Sequence, residues 1–159
     1  MKRKTTLSTL ALALVTLFAS SASAKPSVAP GVANFDAKSG AAFAHKGKIG
    51  ATKIASMFLA SKADIARARA GLAAFLKKKR PARSPRLHRK LSKTVVQIVG
   101  FVTKGGERRL LMNHLCDTKW HRKWRKVPIF VDDGGDCYFS VEYRLKKGTY
   151  LNLQINGEA

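Results

Sequence analysis

Acidic residues are scarce in this chain: nine Asp and Glu stand against 31 Lys and Arg, a formal net charge of +22 over 159 residues. Most basic side chains therefore lack a carboxylate to pair with. Cysteine is confined to Cys116 and Cys137, with no Cys-x-x-Cys pair and no two histidines at ligand spacing, which argues against a zinc centre. The only carboxylate cluster, Asp132-Asp133-Gly134-Gly135-Asp136, lacks the Asp-x-Asp-x-Asp-Gly spacing and the distant Glu of a calcium loop and reads as a turn. No catalytic or cofactor motif stands out, so no cofactor and no metal are expected. Nor does any apolar run reach the roughly 20 residues that a membrane-spanning helix requires.

What is present begins with a leader. Lys2, Arg3 and Lys4 precede an apolar stretch from Leu10 to Ala19 broken only by Thr16, and Ala22-Ser23-Ala24 has the small residues of a cleavage site. Residues 1–24 are therefore expected to be a signal peptide, with the mature chain starting near Lys25 in the periplasm or outside the cell. No cysteine follows the cleavage point to carry a lipid. In that oxidising setting Cys116 and Cys137 are expected to form a disulfide, which closes 20 intervening residues and stabilises the fold by roughly 3 kcal/mol in the chain-entropy view.

Residues 25–50, rich in Ala, Gly, Ser and Pro, show no apolar period and are expected to form a flexible arm. A single domain over 51–159 follows. In it Ile54, Phe58, Ser61, Ile65, Ala68, Leu72 and Phe75 or Leu76 recur at steps of three and four, the spacing of one amphipathic helix or two. Ser61 with Asp64 resembles a capping box, so a helix can restart at Lys62; Pro81 ends the helical run. The period then becomes two. Thr94–Thr103 and Arg108–Cys116, joined by Lys104-Gly105-Gly106, predict a hairpin. Val127–Val131 reads as a short strand, Cys137–Leu145 as a half-buried one, and Tyr150–Ile155 as the last. The expectation is an α+β fold, an amphipathic helix packed on a four- to five-stranded antiparallel meander with one disulfide. The order of elements over roughly 51–156 resembles, in shape only, the cone-shaped rolls of the cystatin and nuclear transport factor 2-like families. The cystatin inhibitory pattern Gln-x-Val-x-Gly is not met by Gln97-Ile98-Val99-Gly100, so no protease inhibition is carried over.

The electrostatic centre of the chain is the connector 77–90, where Lys77, Lys78, Lys79, Arg80, Arg83, Arg86, Arg89 and Lys90 stand without an acidic neighbour. Two prolines and this charge predict a solvated, flexible segment suited to a dense polyanion. A second basic stretch, Arg122, Lys123, Arg125 and Lys126, is interleaved with Trp120 and Trp124, which would share a face on a helical turn. The functional expectation is an exported basic binding protein without catalysis. Its partners would be envelope glycolipid or teichoic acid, extracellular nucleic acid or an anionic membrane. Two alternatives remain open. One is a secreted, metal-independent nuclease or toxin-like enzyme using His114, His121 and Glu107 or Asp117, with Arg109 as the cation. The other is a periplasmic module for a protein or small ligand. Against catalysis, the alternation of 108–116 puts His114 on the face of Met112, where a buried histidine is expected; His45 and His88 read as solvated.

Overall fold

The computed structural model describes residues 31–45, 49, 53–116 and 118–157. The leader and residues 25–30, 46–48 and 50 of the neighbouring arm lie outside them, as does Asp117. The described residues form an α+β fold with a six-stranded mixed sheet, three α-helices and one disulfide. Strands β3 (Val95–Thr103), β4 (Arg108–Leu115), β5 (Phe139–Arg144) and β6 (Thr149–Ile155) form a four-stranded antiparallel meander where the period-two pattern predicts it. β1 (Val32–Phe35) and β2 (Ile54–Phe58) extend that meander and make the sheet mixed. They lie end to end along the free edge of β3, β1 parallel to Val96–Val99 and β2 antiparallel to Gly100–Thr103.

Two expectations fail here for identifiable reasons. Part of the supposed arm is ordered: besides β1 it supplies α1 (Ala37–His45). In α1 a Cβ on Gly40 would lie 2.2 Å from Val99 Cγ2, so close packing favours a small residue there, and Phe43 of the same helix is fully buried. Ile54–Phe58 is a strand and not the start of a helix. A spacing of four residues fits a helical turn and two strand repeats equally well, and pairing with β3 decides between them. Phe58 lies flat on Gly100, whose missing side chain makes room for the ring.

The helical run itself divides at Gly71 into α2 (Lys62–Ala70) and α3 (Leu72–Lys79). Ser61 caps α2 by accepting the amide of Asp64 at 3.1 Å. The Asp64 carboxylate pairs with Arg67 at 2.5 Å. Burial raises the Asp64 pKa, but hydrogen bonds from Arg67 and Ser61 outweigh it and hold the carboxyl below its usual value.

Both faces of the sheet are covered. On one, Ile65, Ala68, Leu72, Leu76 and Leu87 pack on Val96, Ile98, Leu110, Met112 and Val141. On the other, Phe43, Ile49, Trp124 and residues 129–131 pack on Val99, Phe101, Leu111 and Leu115. The third predicted strand, Val127–Val131, is not one: Ile129, Phe130 and Val131 pack against this second core while Val127 is exposed, and side-chain amides take the place of a strand neighbour. Gln97 Nε2 donates to the carbonyls of Trp124 (2.6 Å) and Val127 (2.8 Å), and its Oε1 accepts from Ile129 N (2.9 Å). Asn113 Nδ2 donates to Ile129 O at 2.9 Å and to Gln97 Oε1 at 3.2 Å. Two buried amides on β3 and β4 thus clamp a loop whose polar backbone would otherwise be unpaired against the core.

Candidate functional site

The sheet geometry decides which candidate residues can meet. Thr94, Cys116, Cys137 and Asn156 follow or precede β3, β4, β5 and β6 at one end of the sheet, and the bond between Cys116 and Cys137 lies there. The connector 80–93 and the loop after Cys116 both emerge at this end. Asp136 ties them together: its carboxylate accepts from the hydroxyl of buried Ser84 and from the Lys90 ammonium. Next to it in the loop, Tyr138 has its ring edge-on to His121, with centroids 6.1 Å apart. Both basic segments are therefore gathered at the disulfide end of the molecule.

The connector is not the flexible segment its charge suggests. α3 ends at Lys79, and Arg80 caps it in the left-handed conformation (φ 42°), its amide bonded to Leu76 O at 3.1 Å. Residues Leu87–Lys93 then form a 3-10 helix anchored by fully buried Leu87. Lys77, Lys78, Lys79, Arg80, Arg83, Arg86 and Arg89 are exposed. Lys90 is the exception, because Asp136 pairs with it, a partner 46 positions away that local sequence could not reveal. Burial raises the Asp136 carboxyl, but Lys90 and Ser84 hold it net below the usual range. Among the described residues no carboxylate pairs with the other seven. Lys77, Arg80, Pro85, Arg86, His88 and Arg89 line a groove of about 420 Å³ between the end of α3 and the 3-10 helix.

The two tryptophans do not share a face. Trp124 is 5% exposed in the second core, with the Arg125 guanidinium 4.2 Å above its ring, whereas Trp120 is 83% exposed. With Lys119, His121, Arg122, Lys123 and Ile129, Trp120 lines a shallow concavity of about 540 Å³. One indole closes the core and the other stands in solvent among cations.

The catalytic candidates are not brought together. His114 is 4% exposed on the first face, its ring stacked on Phe139 at 4.3 Å. The Thr94 hydroxyl donates to Leu91 O at 3.0 Å, so its single proton is used and it accepts from His114 Nδ1, also at 3.0 Å. Nε2 is then a buried lone pair without a partner. Burial, with a smaller contribution from Arg69, lowers the His114 pKa to about 3, so the ring is neutral at ordinary pH. His121 meets Tyr138 on the opposite face, so the sheet stands between the two imidazoles. Glu107 precedes β4 at the other end, about 20 Å from His114 along an extended strand. There it receives Arg144 Nε at 2.6 Å and Arg109 Nη2 at 2.5 Å. The hydrogen bond from Arg144 lowers its pKa most; burial opposes and Arg109 adds to the lowering. Arg109 also donates to fully buried Glu142 at 2.9 Å, whose other oxygen accepts from Asn152 at 2.9 Å. The network is internally satisfied and reads as structure. Asp117 lies outside the described residues.

A concavity of about 600 Å³ lies at this second end and is lined by Asp64, Arg67, Glu107, Arg108, Lys146 and Lys147 among others. Its Asp64 and Glu107 are each paired with arginine, so its lining carries both signs, whereas no carboxylate lines the groove beside the 3-10 helix. Among the described residues no group of His, Cys, Asp and Glu could hold a metal ion, and no helix is long and apolar enough to cross a membrane. Comparison of the chain with protein-family models, with curated proteins and with solved structures finds no significant match in any of the three.

Proposed function

We propose that this protein is exported and binds polyanions through its disulfide end, holding them by charge without acting on them chemically. The observation that supports this best is the set of seven exposed cations from Lys77 to Arg89 with no carboxylate partner among the described residues. They stand on a frame fixed by Leu76, Leu87 and the Ser84–Asp136–Lys90 contacts, so little side-chain anchoring has to be gained on binding. A second basic stretch, with Trp120 exposed among its cations, emerges at the same end from the loop packed on the other face of the sheet. Many cations facing a dense row of phosphates or sulfates release condensed counterions, and this favours binding without sequence preference. The leader and the disulfide support a site of action outside the cytoplasm, where lipopolysaccharide, teichoic acid and extracellular nucleic acid are the available polymers. The test is binding of heparin and duplex DNA to the purified protein and to a variant with the seven cations changed to Gln. The parent should bind both and the variant should lose most of that affinity while unfolding at the same temperature; equal binding by the variant refutes the reading.

A further inference from the structure

Resting on that reading, we infer that the groove between α3 and the 3-10 helix is a site for a terminal phosphoryl group, a phosphomonoester carried on a small alcohol or sugar. The groove differs from the rest of the basic surface in being concave. Lys77 and Arg80 approach from the end of α3, Arg86 and Arg89 from the other wall, and no carboxylate lines it. Buried Leu76 and Leu87 fix the two walls, so the four cations cannot separate to relieve their mutual repulsion by moving the backbone. A compact dianion satisfies such a cluster better than a phosphodiester, which carries one charge, and arginine forks match its oxygens in pairs. His88 is on the lining, and its Nδ1 is enclosed without a hydrogen-bond partner. The volume, about 420 Å³, falls in the range of roughly 300–1,000 Å³ typical of small-ligand sites and is too small for a polymer as a whole.

Arg80 adds an independent indication. It occupies the left-handed position after α3, which glycine fills at least cost, and the chain keeps a long cationic side chain there, on the groove wall. Replacing it by glycine separates ligand binding from folding. The site is tested by calorimetric titration of the purified protein with glycerol 3-phosphate at about 150 mM salt, where diffuse surface attraction is screened. The parent should bind with a Kd below about 1 mM. Arg80→Gly should melt at or above the parent temperature yet bind about tenfold or more weakly. Arg86→Gln, at an exposed position, should weaken binding similarly and serves if Arg80→Gly perturbs the fold. Lys146→Gln with Lys147→Gln, at the opposite end, should change affinity less than about twofold.

Vesicles separate the sources of the phosphoryl group. Phosphatidic acid vesicles bound far more tightly than glycerol 3-phosphate identify a lipid headgroup, and equal affinities identify a soluble ester; either supports the site. Equal binding of phosphatidic acid and phosphatidylglycerol vesicles, with no competition by glycerol 3-phosphate, overturns it. So does retained heparin binding with no binding of glycerol 3-phosphate, which leaves the polyanion reading standing. Loss of heparin binding as well removes both.

Discussion

Replacing Gln97 by Met tests whether a side-chain amide, and not a strand, holds the tryptophan-bearing loop. Methionine keeps the volume and removes every hydrogen bond. Three loop groups then lose their partner on β3: Trp124 O at 2.6 Å, Val127 O at 2.8 Å and Ile129 N at 2.9 Å. An unsatisfied buried group costs about 1–3 kcal/mol, and water can reach the outer two more easily than the Trp124 carbonyl, so a loss of about 3–5 kcal/mol is expected if the loop stays in place. That is a large share of the roughly 5–15 kcal/mol that holds a small domain together, so the cheaper response is for the loop to leave the core while the disulfide retains it at both ends. Hydrogen exchange at the Ile129 amide reads this directly. A change of about 3 kcal/mol corresponds to roughly a hundredfold faster exchange, and Trp124, taken out of the core, should emit at longer wavelength. Unchanged protection at Ile129 together with unchanged emission would refute the clamp.

Three further expectations follow from the packing. Unfolding releases the His114 ring, which then protonates near 6.5 and not near 3, so the unfolded state binds the extra proton between those values. Stability should be complete above pH 6.5 and fall by up to about 1.4 kcal/mol per unit below it; His114→Leu should flatten urea midpoints between about pH 6.5 and 4.5, above the range where Asp64, Glu107 and Asp136 contribute, and an unflattened profile counts against the assignment. Reduction of Cys116–Cys137 should remove roughly 3 kcal/mol, read as a lower melting temperature; mass spectrometry finding both thiols free in oxidised material contradicts the bond. Gly100→Ala places a Cβ about 2.5 Å from the Phe58 ring, over which Arg108 stacks at 4.2 Å, and should cost about 1–3 kcal/mol; a variant as stable as the parent would show that the ring moves freely.

The elements legible in the sequence are those whose periodicity admits one reading. Phe139–Arg144 and Thr149–Ile155 alternate, Val95–Thr103 is rich in β-branched residues, and Arg108–Leu115 is joined to it as a hairpin; glycines in the left-handed region at Gly106 and Gly148 make the turns within the β3–β4 and β5–β6 pairs. Buried His114 follows from the same alternation. Ile54–Phe58 is ambiguous because four residues is a multiple of two, and α1 shows no apolar period because it packs so closely on β3 that a Cβ at Gly40 would lie 2.2 Å from Val99 Cγ2. The clamped loop shows that apolar composition marks the packing of Ile129, Phe130 and Val131, misleads at exposed Val127, and cannot say what supplies the backbone partners. At the candidate site, charge and exposure at Lys77–Arg89 could be read locally, but the Asp136 pairing of Lys90 and the convergence of the two basic stretches required the sheet topology. The opposed fates of Trp120 and Trp124 were likewise beyond a spacing argument, since residues 122–126 form turns and not a helix.

The most direct test of the account is the salt dependence of duplex DNA binding. If about six phosphates are neutralised at the disulfide end, the logarithm of the association constant should fall linearly with the logarithm of salt concentration, at a slope near −5, and affinity should drop about a thousandfold or more between 50 and 200 mM. Changing the seven unpaired cations between Lys77 and Arg89 to Gln should remove most of that slope, whereas Lys146→Gln with Lys147→Gln should leave it nearly intact. An affinity insensitive to salt, or a slope that survives the seven changes, would contradict the claim that these side chains are what the protein uses to bind.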